Sequence, residues 1–282
     1  MQEEAFMSSM TSMPGVFTAT HKDGSTYYRV SITYKNKHIS LGSYDDIKLA
    51  ARAYRDADLL LHDDDRTPLS DMAAGHLLPD LHYPADTPLS FEKWVILINY
   101  RDNGMYFKTP IYIFKKFFLY FLTSERVLRF DVDDLFYYST HKIMSRDGYL
   151  FVNDYGSQTS ILSHYGIRSH AVCGRDYIFV NGDHNDFRYG NIHIINHYHG
   201  VQEIQRNGRT LYKAVIHIRG NFVAGIYSSE HEAAIAYNKA VELLASKGII
   251  RNYPSNYIED ITPIEYARIY NSVRLSKKLR SL

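Results

Sequence analysis

The sequence has almost no cysteine and no long hydrophobic run. Its single cysteine, Cys173, excludes an internal disulfide framework and the usual multi-cysteine zinc sites, and it indicates a reducing compartment. The most apolar run is "FFLYFL", only six residues from Phe117 to Leu122, whereas a membrane-spanning helix needs roughly 20. The N-terminal "MQEEAFMSSM" is acidic and lacks a long apolar region, which predicts no signal peptide. We therefore expect a soluble intracellular protein that is cytoplasmic, nucleoid-associated in a bacterial or phage setting, or nuclear in a eukaryotic cell.

The sequence also lacks a strong net charge. With +1 over 282 residues, no global field draws the chain to nucleic acid or to a membrane, so any basic surface is local. Three segments are locally basic: residues 15–61 hold seven Lys and Arg against five Asp and Glu, residues 200–247 hold six against four, and residues 248–282 hold six against three. The length is sufficient for two or three small domains.

One short motif occurs twice. "GSYDDIKLAARAY" at Gly42–Tyr54 and "GIYSSEHEAAIAY" at Gly225–Tyr237 agree at six of thirteen positions, although they are 183 residues apart. Each closes a longer similar segment that begins with Gly-Val, at Gly15 and at Gly200. Self-similarity of this kind indicates one structural unit used twice.

Within each copy, the spacing of hydrophobic residues changes from every second residue to every third or fourth residue. The alternating residues are Tyr28, Val30 and Ile32 against Arg29, Ser31 and Thr33 in the first copy, and Tyr212, Ala214 and Ile216 against Lys213, Val215 and His217 in the second. This alternation predicts a short antiparallel meander. The helical spacing that follows, with Ser229 and Glu232 forming a capping box in the second copy, predicts one α-helix. Each sheet would be covered by its helix on one face and open on the other.

These patterns predict an α+β protein: two small units, each a three-stranded antiparallel sheet packed on one helix, around a central domain, with a C-terminal helix that begins at Thr262 and Pro263. The predicted segments are a first repeat at 14–62, a linker at 63–90, a central domain at 91–198, a second repeat at 199–248 and a basic C-terminal helix at 249–282.

The two repeats resemble the Apetala-two (ethylene-response-factor) DNA-binding domain, whose strand-to-helix corner is Leu-Gly-x-Phe/Tyr followed by an Ala-rich helix. The resemblance covers about 47 residues in each copy, and it lacks the family's usual strand Trp and several of its Arg, which implies a different target sequence. It implies that the open sheet face lies in the major groove of duplex DNA.

Carried over by position, the resemblance assigns the DNA contacts to outward strand residues. They are Phe17, Ala19, Arg29, Ser31, Thr33, His38 and Ser40 in the first repeat, and Gln202, Ile204, Lys213, Val215, His217, Asn221 and Val223 in the second. Arg29, Lys213, His217 and Arg219 are the strongest candidates for base contacts. The basic residues Lys35, Lys37, Lys277 and Lys278 are expected to contact phosphate, which positions a protein without specifying sequence.

The central segment "DYIFVNGDHNDFRYGNIHIIN" at Asp176–Asn196 is similar to the core of HNH homing endonucleases, a hairpin with Asn-Gly-Asp followed by a short helix. The matching residues are Asn181, Gly182, Asp183, Asp186, Arg188 and Asn191. The family's general-base His is replaced here by Phe179, and the Asn before its Arg by Phe187. Phenylalanine neither accepts a proton nor binds a metal, so we expect a scaffold without nuclease activity.

The sequence thus predicts a sequence-specific duplex DNA-binding protein, a transcriptional regulator derived from an HNH homing endonuclease, with no catalytic residue, metal or cofactor. Its oligomeric state is left open. One alternative is an active metal-dependent endonuclease, with His184 as the base or with His193, His197 and His199 on one face of a strand as ligands. A second alternative is a protein-interaction module.

Overall fold

The first repeat is a three-stranded meander followed by a helix, as predicted. We describe it from a computed structural model, which describes residues 13–63, 81–169 and 171–282. Its elements are β1 (Val16–Thr20), β2 (Thr26–Tyr34), β3 (Lys37–Tyr44) and α1 (Ile47–Leu61). The strands pair in the order β1-β2-β3, all antiparallel. The Asp46 side chain caps α1 by accepting from the backbone N–H of Lys48 at 2.5 Å, which satisfies one of the helix's free donors.

The central region supplies one long helix and short strands. Its elements are α2 (Phe91–Asn103), β4 (Ile111–Ile113), β5 (Phe117–Phe121), β6 (Val127–Asp131), α3 (Leu135–Thr140), β7 (Ile143–Arg146), β8 (Tyr149–Asp154), β9 (Ser157–Ser160), β10 (Tyr177–Phe179) and β11 (Ile192–Ile194). They form two three-stranded antiparallel sheets, β4-β5-β6 and β7-β8-β9, and the hairpin β10-β11.

Helix α2 completes the core of the first repeat. Trp94 and Leu97 are buried in the same cluster as Val30 and Ile32 of β2, and the Trp94 indole N–H donates to the carbonyl of Leu81 at 2.9 Å. Residues 81–90 of the predicted linker therefore take part in this core, whereas residues 64–80 lie outside the described residues.

The second repeat has the architecture of the first. Its elements are β12 (Val201–Arg206), β13 (Arg209–His217), β14 (Asn221–Tyr227) and α4 (Glu230–Ser246). The predicted capping box is present: Ser229 accepts from the first turn of α4, and Glu232 accepts from the Ser229 N–H at 3.3 Å.

The C-terminal segment is not one basic helix, contrary to the prediction. It contains α5 (Pro263–Ser272), which begins at the predicted Thr262 cap, and α6 (Lys277–Arg280), which holds only four residues. The chain leaves the helical conformation at Val273, and beyond it the N–H of Ser276 donates to the carbonyl of Ala224 in β14, at 2.7 Å. Asn256 is tied to α4 by two hydrogen bonds of 2.8 Å with Asn238, so this buried polar pair is satisfied.

The residues that the two repeats have in common have the same structural roles. Gly15 has φ +72 and Gly200 has φ +69, and a Cβ at either position would collide with the ring of the helix tyrosine, Tyr54 or Tyr237. The alanines common to both helices fill the space against the sheet, since Ala50 and its counterpart Ala233 are fully buried. The motif is therefore a packing motif on the helix side of each sheet.

Both meanders also carry a β-bulge at the same place. The register shifts between Val30 and Ser31 in the first repeat and between Ala214 and Val215 in the second. A bulge inserts an extra residue and changes the direction of the side chains that follow it.

The residues group into two compact units. One comprises the described residues up to Ile161 together with His184–Tyr189, and the other comprises the described residues of 162–183 together with Gly190–Leu282. This grouping is coarser than the five predicted segments, which remain a prediction. The described residues contain six α-helices, and none of these is long and apolar enough to cross a membrane.

Candidate nucleic-acid interface

The strand register arranges the open face of the first repeat in rows of paired residues. The rows are Ala19–Tyr27, Phe17–Arg29–Ser43, Ser31–Ser40 and Thr33–His38. Arg29, Thr33, His38 and Ser40 are exposed, as the alternation predicts. Oγ1 of Thr33 lies 3.4 Å from Nδ1 of His38, so the last row is a polar pair.

Ser31 does not fit the prediction of an exposed contact residue. Its exposed fraction is 8%, and its backbone N–H donates to the carbonyl of Gly15 at 2.9 Å. Ser31 lies at the centre of the middle strand, where a short side chain is covered by its neighbours. The exposed hydroxyl of this row is that of its partner, Ser40.

The second repeat repeats the rows with different side chains. They are Arg206–Arg209, Ile204–Leu211, Gln202–Lys213–Ile226, Val215–Val223 and His217–Asn221. His217 and Asn221 are exposed, and Nδ1 of His217 lies 3.0 Å from Oδ1 of Asn221, in the position of the Thr33–His38 pair. Gln202, Lys213 and Val215 are half-buried.

The open faces carry cations without carboxylates. No Asp or Glu occurs in any of the paired rows of either open face. Among the described residues no carboxylate forms an ion pair with Arg29 or Lys213, whereas Arg101 is paired with Asp102 at 2.6 Å. The row of Arg29 and the row of Lys213 therefore each present an uncompensated positive charge, at the same place in the two repeats.

The predicted phosphate contacts Lys35 and Lys37 lie at the β2–β3 hairpin. Positive φ angles of 43 and 61 at Lys35 and Asn36 fit a tight two-residue turn. Nζ of Lys35 donates to the carbonyl of Arg101 at 3.3 Å, and Nζ of Lys37 lies 5.2 Å from the ring centre of Tyr106. Both residues are exposed, with their ammonium groups turned toward the end of α2.

The remaining predicted cations lie around the second repeat. Arg219 is exposed in the turn between β13 and β14. Lys277 and Lys278 are exposed on α6, and Nζ of Lys278 lies 5.3 Å from the ring centre of Phe222. Phe222 is paired with the buried Ile216, so Lys278 is on the helix side of β14 and not on the open face.

One outward position in each repeat was not predicted from the sequence: Ser43 in the first and Ile226 in the second. Strict alternation from His38 and Ser40 predicts Gly42 as the next outward residue. The bulge moves that position to residue 43. A glycine inside a strand pattern indicates such a bulge, so Gly42 and Gly225 could have predicted its place.

The HNH-like segment does not form the predicted helix. Residues 184–191 contain only a three-residue 3-10 turn at Tyr189–Asn191. The buried Asp186 accepts from Nε and Nη2 of Arg188 at 2.9 and 2.6 Å, and the N–H of Phe187 donates to the carbonyl of Arg129 at 2.7 Å. These bonds hold residues 185–187 as an extended segment beside β6.

The residues of the HNH-like frame are also divided between the two compact units. Asp186 and Arg188 belong to the first unit, and Asn181, Asp183 and Asn191 to the second. In the second unit, Oδ1 of Asn191 accepts from the N–H of Asn181 at 2.8 Å, so this asparagine closes a loop. Phe179, which the resemblance aligns with the general base, is buried with 8% exposure.

The three histidines considered as metal ligands do not share a strand face. Strand β11 ends at Ile194, so only His193 lies on it. Nδ1 of His197 lies 3.2 Å from Oε2 of Glu230, and the backbone N–H of His199 donates to Asn256 at 2.6 Å. A search of the described residues found no group of three or more His, Cys, Asp or Glu that could hold a metal ion.

Comparison with known proteins found no match to this chain among models of protein families, curated proteins or solved structures.

Proposed function

We propose that this chain is a sequence-specific double-stranded DNA-binding protein that acts as a transcriptional regulator, and that it reads the major groove with the open sheet faces of its two repeats. The observation that supports the proposal is the matched pair of faces: each has a cation in the row that crosses all three strands, a polar pair in its last row and no carboxylate in its rows.

The physical argument concerns shape and charge. The major groove is about 12 Å wide and admits a β-ribbon, so side chains on one sheet face can reach base edges. A face with uncompensated cations and no carboxylate suits the negative potential of the groove. Arginine at the position of Arg29 matches the O6 and N7 acceptors of guanine, and Lys213 can donate to the same acceptors.

The proposal is tested by replacing basic residues with alanine, some on the open faces and one outside them. Arg29→Ala and Lys213→Ala should each cost about 1–3 kcal/mol on a duplex selected by the full chain, and much less on a scrambled duplex. Lys48→Ala is the matched control, since Lys48 is exposed on α1 of the first repeat, outside the open face. The measurement is a salt titration of binding to both duplexes.

Lys277 and Lys278 are expected to behave differently from the face residues. Their replacement by Ala should weaken binding to both duplexes alike and reduce the salt slope by about one for each lost phosphate contact. If Arg29→Ala and Lys213→Ala also weaken both duplexes equally, the open faces do not read sequence and this assignment is wrong.

A further inference from the structure

The two open faces differ systematically at three equivalent positions. The first repeat has Ser31, Ser40 and Ser43, and the second has Val215, Val223 and Ile226. The equivalence follows from the strand register, because Ser31 pairs with Ser40 and Val215 with Val223, while Ser43 and Ile226 pair with the face cations Arg29 and Lys213. We call Val215, Val223 and Ile226 the aliphatic triad.

The aliphatic triad is accessible to a ligand. Val223 is 43% exposed and Ile226 is 42% exposed, and Val215 beside them is half-buried. Lys213 is paired with Ile226 on one side of the triad, and His217 lies in the row that follows Val215 and Val223 on the other side. A branched apolar surface thus lies between groups that can meet phosphates or base edges.

In the major groove the thymine C5-methyl is the apolar group, whereas the other base edges present donors and acceptors. Serine hydroxyls can bond to those donors and acceptors, but valine and isoleucine side chains cannot. Resting on the proposed function, we propose that the aliphatic triad contacts thymine methyl groups, so that the second repeat selects thymine-bearing base pairs at these three positions, where the first repeat carries serines.

The alternative occupants of an exposed apolar patch are a protein partner and a second copy of this chain. Charge favours DNA, because the rows of this face contain Lys213 and His217 and no carboxylate. The first repeat supplies the comparison within the same molecule. Its serines show that this backbone accepts a polar residue at each triad position.

The experiment uses the full chain and duplexes that it enriches from a random pool. Thymines in the enriched site are replaced by uracil, which removes the methyl group and leaves the pairing edge and the charge unchanged. Affinity should fall about fourfold for each contacted methyl, which corresponds to the burial of one such carbon. Uracil in the flanks of the same duplex is the control substitution.

The variant V215S/V223S/I226S should bind the thymine and uracil duplexes equally, at the affinity of the unchanged protein for uracil. I226S/V223S, which leaves the half-buried Val215 in place, serves if the triple variant does not fold. Ile264→Ser, which removes an 84% exposed isoleucine from α5, should keep the full uracil effect.

The outcomes separate this inference from the proposed function. Sequence-selective binding that is indifferent to uracil overturns the inference and leaves the proposed function intact. Failure to enrich any duplex overturns the proposed function, and the inference with it. A chain that is dimeric in sedimentation and becomes monomeric in V215S/V223S/I226S, with no uracil effect, shows that a second copy covers the triad and overturns the inference.

Discussion

Gly15 and Gly200 lie just before the first strand of each repeat and close the contact between sheet and helix. Each carbonyl accepts the N–H of the residue after the bulge, from Ser31 at 2.9 Å and from Val215 at 2.7 Å. Each Cα faces the ring of the helix tyrosine without room for a Cβ. The bulge, the glycine and the tyrosine therefore form one packing arrangement, which occurs twice.

Gly15→Ala should destabilise the protein by about 2–5 kcal/mol, because it combines a strained positive φ with overpacking against the Ser31 carbonyl and the Tyr54 ring. Gly24→Ala is the control: its φ is +88, but an added Cβ meets nothing within 4 Å, so only about 1–2 kcal/mol should be lost. Urea unfolding followed by circular dichroism measures both. Equal losses would show that steric contact with the tyrosine is unimportant.

At the residue scale, alternation along β3 predicted the outward positions that precede the bulge and failed at the position that follows it. Arg29, Thr33 and His38 are exposed as expected, whereas Ser43 was missed. The orientation of Lys35 could not be predicted either. It depends on α2, which is far away in sequence and has no mark that identifies its packing partner.

At the element scale, local signals were sufficient where the chain has caps and clear periodicity. The starts of α4 and α5 were predicted from Ser229 with Glu232 and from Thr262 with Pro263, and the structure confirms both. The central strands are only three to six residues long, and β4 and β5 contain only apolar and aromatic residues, so no alternation identifies them. The break at Val273 and the hydrogen bond from Ser276 to Ala224 of β14 that follows it were not predicted, because this contact joins residues far apart in the sequence.

The segment that resembles HNH enzymes should not cut DNA. The resemblance aligns Phe179 with the general base, and a phenylalanine ring can neither deprotonate water nor bind a metal; Phe179 is also buried. Purified protein should leave supercoiled plasmid intact with magnesium or manganese. Metal-dependent nicking that His184→Ala abolishes would contradict this and would support the alternative of an active endonuclease.

At the scale of the whole molecule, the proposed function implies that two similar faces with different side chains read a composite site without requiring a dimer. The first face presents Arg29 and Ser40, and the second presents Lys213 with Val223 and Ile226. Attachment of the first face to one duplex raises the effective concentration of the second. We expect the preferred site to have two unlike halves.

The double variant with Arg29→Ala and Lys213→Ala tests whether both faces hold the same duplex. If they do, the two losses should add, for a total of about 2–6 kcal/mol on the selected site. Binding of each single variant and the double variant to one labelled duplex gives the sum directly. If the second replacement has no effect after the first, only one repeat contacts that duplex and the composite site is wrong.

The C-terminal segment has a consequence for the solubility of this chain. The N–H of Ser276 donates to Ala224 and its hydroxyl donates to Val223, at 2.7 and 2.8 Å, so the segment occupies carbonyl groups on the outer edge of β14. Unpaired strand edges with apolar side chains are templates for pairing between molecules, and charged residues such as Lys277 discourage that pairing. A fragment trimmed before residue 273 would expose this edge beside Val223 and Ile226, and it would be prone to aggregate.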